Sequence, residues 1–147
     1  MQNAITELEQ LTLSNAAKGF LRETAKWGKF LSILGFIVLG LMLIGSFFIG
    51  AFYNETSAAE TMPFDFGIVV TFIYILAALI YIFPIYYLYQ FSVKMREALA
   101  LKDDVVLATA FEMLKSHYKF IGVFSIIMLS VYVLGAVIGF IGLFSTI

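Results

Sequence analysis

FLSILGFIVLGLMLIGSFFIGAFY, residues 30–53, runs for 24 positions without a charged side chain. About 20 predominantly apolar residues suffice for a helix to cross a bilayer core, and a helix satisfies its own backbone amides where lipid offers no partner. Two further stretches meet the same condition, Phe66 to Val93 and Phe120 to Ile147. All nine Lys and Arg residues lie outside the three. The pattern predicts an all-α integral membrane protein with three transmembrane helices, at 30–53, 66–92 and 120–144.

The 147 residues leave room for one membrane domain and no second one. Charged residues make up only 13% of the chain, about half the share usual in soluble domains. The net charge of −1 conceals an asymmetry. Lys18, Arg22, Lys26 and Lys29 precede the first span, and Lys94, Arg96, Lys102, Lys115 and Lys119 fall between the second and third. The loop between the first two spans carries Glu55, Glu60 and Asp65 and no basic residue. Because basic loops stay on the cytoplasmic side, the N-terminus is expected in the cytoplasm and the C-terminus outside, which in a two-membrane bacterium means the periplasm. The first 29 residues are polar and charged, and the apolar run after them is too long for a signal-peptide core, so the first span is expected to be retained. With no cysteine, the chain has no disulfide and no thiolate metal site.

Outside the spans two amphipathic segments stand out. Met1–Leu13 reads as a weak helix or tail with Ile5, Leu8 and Leu11 as a short apolar strip. Ser14 then looks like an N-cap for a helix over 14–29, with Ala17, Phe20, Leu21, Thr24, Trp27 and Leu31 on one face and the four basic residues opposite. Lys18, Arg22, Lys26, Trp27 and Lys29 are the expected interfacial anchors, either as an ordinary topological signal or as a surface for anionic lipid or a partner. A second, cytoplasmic helix is expected over 104–118, capped by Asp103 or Asp104, with Leu107, Ala110, Phe111, Leu114 and Tyr118 as its apolar stripe. Eight residues separate Lys94 from the end of the outgoing helix at Leu101, about 12 Å, whereas Asp104 to Lys119 is sixteen, about 24 Å. Either the second helix reaches less deeply into the bilayer than Lys94 suggests, or the return helix tilts over. The expectation taken forward is a return helix lying along the membrane surface.

Within the spans, Gly35, Gly40, Gly45 and Gly50 recur every five residues and so do not share a helix face. Ser46 and Gly50 form a small-xxx-small pair, and Gly135 and Gly139 form a GxxxG in the third span. Such pairs let helix backbones approach closely; packing within the chain and self-association both remain open. The second span is rich in aromatics, and those from Phe83 onward read as an interfacial belt. By depth, Tyr81 is expected near Tyr132 and Tyr74 near Ser46, as candidate interhelical hydrogen bonds. Pro84 is expected to kink the second helix.

No ionisable side chain lies in the spans, where pumps and transporters usually keep them. Paired carboxylates, phosphate-binding glycine loops and metal-ligand clusters are likewise missing from the sequence. His117 is the only histidine and is expected in a surface or interfacial role. Asn54-Glu55-Thr56 matches a glycosylation acceptor, a short pattern more readily explained by chance.

The run Phe20-Leu-Arg-Glu-Thr-Ala-Lys-Trp-Gly-Lys-Phe-Leu31 opening a glycine-rich span resembles a family of small multi-pass proteins of Bacteroidota, domain of unknown function 5362. The likeness extends to Phe83–Lys94, Ala110–Phe120 and the closing span, but not to Asn54–Pro63. It implies a protein of the bacterial cytoplasmic membrane and supplies no activity or site residue. The expected function is non-enzymatic and without a cofactor: an accessory or scaffolding subunit of an inner-membrane complex, or a homo-oligomer. A pore drawing on Thr71, Ser125 and Ser130 is the alternative. Expected partners are membrane lipid and other membrane proteins or further copies of the chain, not nucleic acid.

Overall fold

A computed structural model of the protein describes residues 13–55 and 65–145. The expectations for Ile5, Leu8 and Leu11, for Glu60 and for Thr56 of the glycosylation pattern lie outside those residues. Among the described residues the secondary structure is entirely helical: α1 (Asn15–Asn54), α2 (Phe66–Leu101) and α3 (Asp104–Ser145). All three are long and apolar enough to cross a membrane.

Local chemistry sets the helix ends. Ser14 Oγ accepts from the Ala17 amide at 3.1 Å and starts α1. Asp65 Oδ1 accepts from the Ile68 amide at 3.0 Å and starts α2. Lys102 adopts a left-handed conformation (φ 56°, ψ 42°) that closes α2. Asp103 Oδ1 then takes the amides of Val105 and Val106 at 2.8 and 3.1 Å, so a two-residue turn launches α3. Each cap satisfies donors or acceptors that a helix terminus leaves orphaned.

The helices contain 40, 36 and 42 residues. At 1.5 Å per residue they are about 54 to 63 Å long, roughly twice the ~30 Å thickness of a bilayer core. Two boundaries expected from the sequence are therefore not breaks in the chain. The segments 14–29 and 30–53 are one helix, and 104–118 runs without interruption into 120–144. The return helix continues the axis of the third span instead of lying on the membrane surface.

The register of the helices explains the discrepancy. Gly35 faces Ile85; His117 meets Pro84 at 2.7 Å; Phe83 lies against Phe120 and Tyr81 against Phe124, with ring centroids 6.3 and 5.3 Å apart. Lys119 is thus level with Phe83, not with Lys94. Twenty residues from the far ends at Tyr53 and Phe66 reach Leu34 and Ile85, so a bilayer core ends on the layer of Gly35, Pro84 and His117. The second helix extends less deeply than Lys94 suggests, and an upright return becomes possible.

Beyond that layer, at the end that carries the charged residues, the three helices form a small hydrophobic core. Ala25, Phe91, Met95 and Ala110 are fully buried, with Leu21, Leu88, Leu99, Leu107, Met113 and Leu114 packed around them. α1 and α2 run together along a seam of buried, mostly small residues that crosses that layer, Gly28, Ser32, Leu39, Ser46 and Gly50 on one side and Gly67, Ala78 and Ser92 on the other. Ala25, Ser32, Leu39 and Ser46 are spaced by seven, the period of a left-handed helix pair. α2 is the central helix, packed against α1 on one side and α3 on the other.

Candidate functional site at the membrane boundary

The layer where the water-exposed core meets the membrane spans brings together the most polar chemistry near the bilayer. Pro84 lacks an amide hydrogen, so the helical hydrogen bond to the Ile80 carbonyl is absent. One turn later His117 Nδ1 lies 2.7 Å from the Pro84 carbonyl oxygen. A carbonyl only accepts, so Nδ1 carries the hydrogen and donates it. This bond ties α3 to α2 at the proline. Sequence reasoning put His117 at this boundary but gave it no partner; the interhelical register that pairs it with Pro84 is not legible along either helix alone.

Beside this tie, Tyr87, Ser116, Lys119, Phe120, Val123, Phe124 and Ile127 line an open groove of about 460 Å³ between α2 and α3. Phe120 and Phe124 are stacked, 6.4 Å between centroids. The Ser116 hydroxyl donates to the Glu112 carbonyl at 2.9 Å. The lining is basic and phenolic toward the boundary and wholly apolar toward the membrane interior.

The expected anchoring residues stand farther out than a helix lying in the headgroups implies. Lys18, Arg22 and Lys26 are exposed on α1, about 24, 18 and 12 Å beyond Leu34 along the helix, and Lys29 is about 8 Å beyond it. Trp27 is 60% exposed and meets Phe30 edge-on at 6.0 Å. The face of this segment turned inward is Leu21, Ala25, Gly28 and Ser32; Phe20, Trp27 and Leu31 point away from the protein.

The two small-residue motifs have different surroundings. Ser46 is fully buried and its hydroxyl donates to its own helix at Leu43, 2.7 Å away. Its carbonyl accepts from Thr71 Oγ1 at 3.1 Å across the seam. A Cβ at Gly50 would collide with the Thr71 hydroxyl and lie 2.8 Å from the Gly67 carbonyl oxygen. By contrast, a Cβ at Gly135 or Gly139 would meet nothing within 4 Å, and the same holds for Gly40 and Gly45.

The tyrosine pairings expected by depth do not form. Tyr81 packs on Phe124, while Tyr132 is 76% exposed. Tyr74 does lie at the depth of Ser46, but the Ser46 hydroxyl turns back into its own helix and Thr71 takes the carbonyl. Ser32 and Ser92, buried in the seam, were not singled out from the sequence; both donate to their own helix, at Lys29 and Leu88. Ser32 shares the seven-residue spacing of Ala25, Leu39 and Ser46, whereas Ser92 has no such small-residue series on its own helix. Among the described residues no group of three His, Asp or Glu side chains is arranged to hold a metal ion. No family model matches the chain, and neither does any curated protein or solved structure.

Proposed function

We propose that this chain is a non-enzymatic subunit of a bacterial cytoplasmic-membrane assembly, or of an oligomer of itself, held with its basic end in the cytoplasm and its C-terminus in the periplasm. Membership of the Bacteroidota family that its sequence resembles is part of the same reading. One observation carries it: from Ser125 to Gly139 every residue of α3 is exposed, a stretch of about 22 Å. Lipid covers an apolar helix adequately, but lipid gives no reason for glycine. Each interior glycine weakens a helix by about 1 kcal/mol relative to alanine, and what it offers in return is close approach of another backbone. Gly135 and Gly139 lie one turn apart, and among the described residues a Cβ at either would meet nothing within 4 Å.

A pore lined by Thr71, Ser125 and Ser130 has less support. Thr71 spends its hydroxyl on Ser46 inside the protomer, and Ser130 spends its own on Ile126.

Affinity purification in mild detergent, followed by cross-linking and mass spectrometry, tests the reading. A stoichiometric membrane partner or a dimer of the chain is expected, lost in Gly139→Leu and retained in Val133→Leu. A monomer with no stoichiometric partner, or an assembly equally tolerant of both substitutions, overturns it.

A further inference from the structure

We infer that the groove between α2 and α3 is a binding site for one anionic glycerophospholipid of the leaflet that faces the basic end. Its position, its polarity and its length lead to that ligand together. Lys119 is the only basic residue held at the bilayer boundary itself, level with Phe83 across the helix pair; the other eight lie farther into water. Among the described residues the one ion pair is Lys94–Glu97, so no carboxylate there pairs with Lys119. No carboxylate lines the groove. Tyr87 lines the same groove and brings a phenol O–H to its lining, whereas the Ser116 hydroxyl already donates to Glu112. A phosphate at the headgroup level is the group that an ammonium and a phenol recognise together.

From Lys119 the lining turns apolar through Phe120, Phe124 and Ile127. The eight helical steps from Lys119 to Ile127 advance about 12 Å into the membrane, most of the ~15 Å that one leaflet contributes to the core. A free phosphate ion would use the mouth and leave this floor empty. An acyl chain attached to the phosphate covers it. The volume, about 460 Å³, lies within the usual range for small-molecule sites.

The test uses the full chain in detergent, observed by native mass spectrometry while dioleoyl phosphatidylglycerol and dioleoyl phosphatidylcholine compete at equal concentration. The first lipid bound is expected to be phosphatidylglycerol, with about a fivefold preference, the effect of one lysine at an anionic lipid surface. Lys119→Gln should abolish that preference, and Lys18→Gln, exposed and about 24 Å away along α1, should keep it. Circular dichroism of Lys119→Gln should match the parent chain, since the side chain is on the surface. An unchanged preference in Lys119→Gln, an equal loss in Lys18→Gln, or displacement of the lipid by excess glycerol 3-phosphate overturns the assignment; the last result would identify a headgroup-only anion site.

Discussion

Phe91 and Met95 at the basic end are 1% and 0% exposed, whereas Leu129 to Val133 in the middle of α3 are all exposed on the same chain. Both regions are helical, but the basic end interleaves its apolar residues with Lys94, Arg96 and Glu97, whereas Leu129 to Val133 carries no charge. The surroundings differ accordingly. In water, burying Phe91 and Met95 between Ala25 and Ala110 removes apolar surface from a medium that rejects it. In a bilayer that force vanishes, because a lipid tail is as apolar as leucine. Helices there hold together where backbones come close and where a hydroxyl finds a carbonyl, as at Gly50 and Thr71. Along α3 from Ser125 to Gly139 every residue is exposed, and the Ser130 hydroxyl donates within its own helix, to Ile126.

The largest effect expected from this contrast is at the water-exposed core. Phe91→Ala should lower stability by about 3–5 kcal/mol, measured as the midpoint of unfolding in mixed detergent and SDS. Ile138→Ala, an apolar truncation on the exposed stretch of α3, should change the midpoint by less than about 0.5 kcal/mol. Equal losses at the two sites would mean that the basic end is not a solvent-driven core.

Gly50→Ala comes next. The new methyl meets the Gly67 backbone, which cannot rotate away, so α1 and α2 must separate at a loss of about 1–3 kcal/mol. Gly45→Ala, where the added carbon meets nothing within 4 Å, should be neutral or mildly stabilising. A tolerant Gly50 would dissolve the distinction between small residues that pack and small residues that do not.

Asp103→Ala removes the cap that opens α3 and should cost about 1 kcal/mol, visible as faster amide exchange at Val105 and Val106. The smallest loss among the contacts that hold helices together is expected from Thr71→Val, which deletes one hydroxyl between α1 and α2. Interhelical hydrogen bonds in a membrane average about 0.6 kcal/mol, so a loss several times larger would show that Thr71 also fixes the register of α1 on α2.

Much of this was legible one residue at a time. Ser14 and Asp103 announce helix starts because a short side-chain oxygen needs only amides two or three residues ahead. The five-residue spacing of Gly35, Gly40, Gly45 and Gly50 correctly denied them a common face: Gly35 and Gly50 meet α2, while Gly40 and Gly45 meet nothing within 4 Å. Lys94 misled, because a charge-free run ending at Val93 looks the same whether its last residues lie in lipid or in a protein core. Phe91, level with Ala25 and Ala110, belongs to the core.

Length and freedom from charge by themselves determined that the chain carries three helices long and apolar enough to cross a membrane, since a bilayer demands about 20 apolar residues and tolerates no unpaired amide. Which of those residues face protein was decided only in three dimensions. The bond from His117 to the Pro84 carbonyl, the Ser46–Thr71 contact and the groove at Lys119 each join residues on different helices. They depend on the register of one helix against the next, and in lipid that register is set by steric fit and single hydrogen bonds, which leave no periodic signal in hydrophobicity.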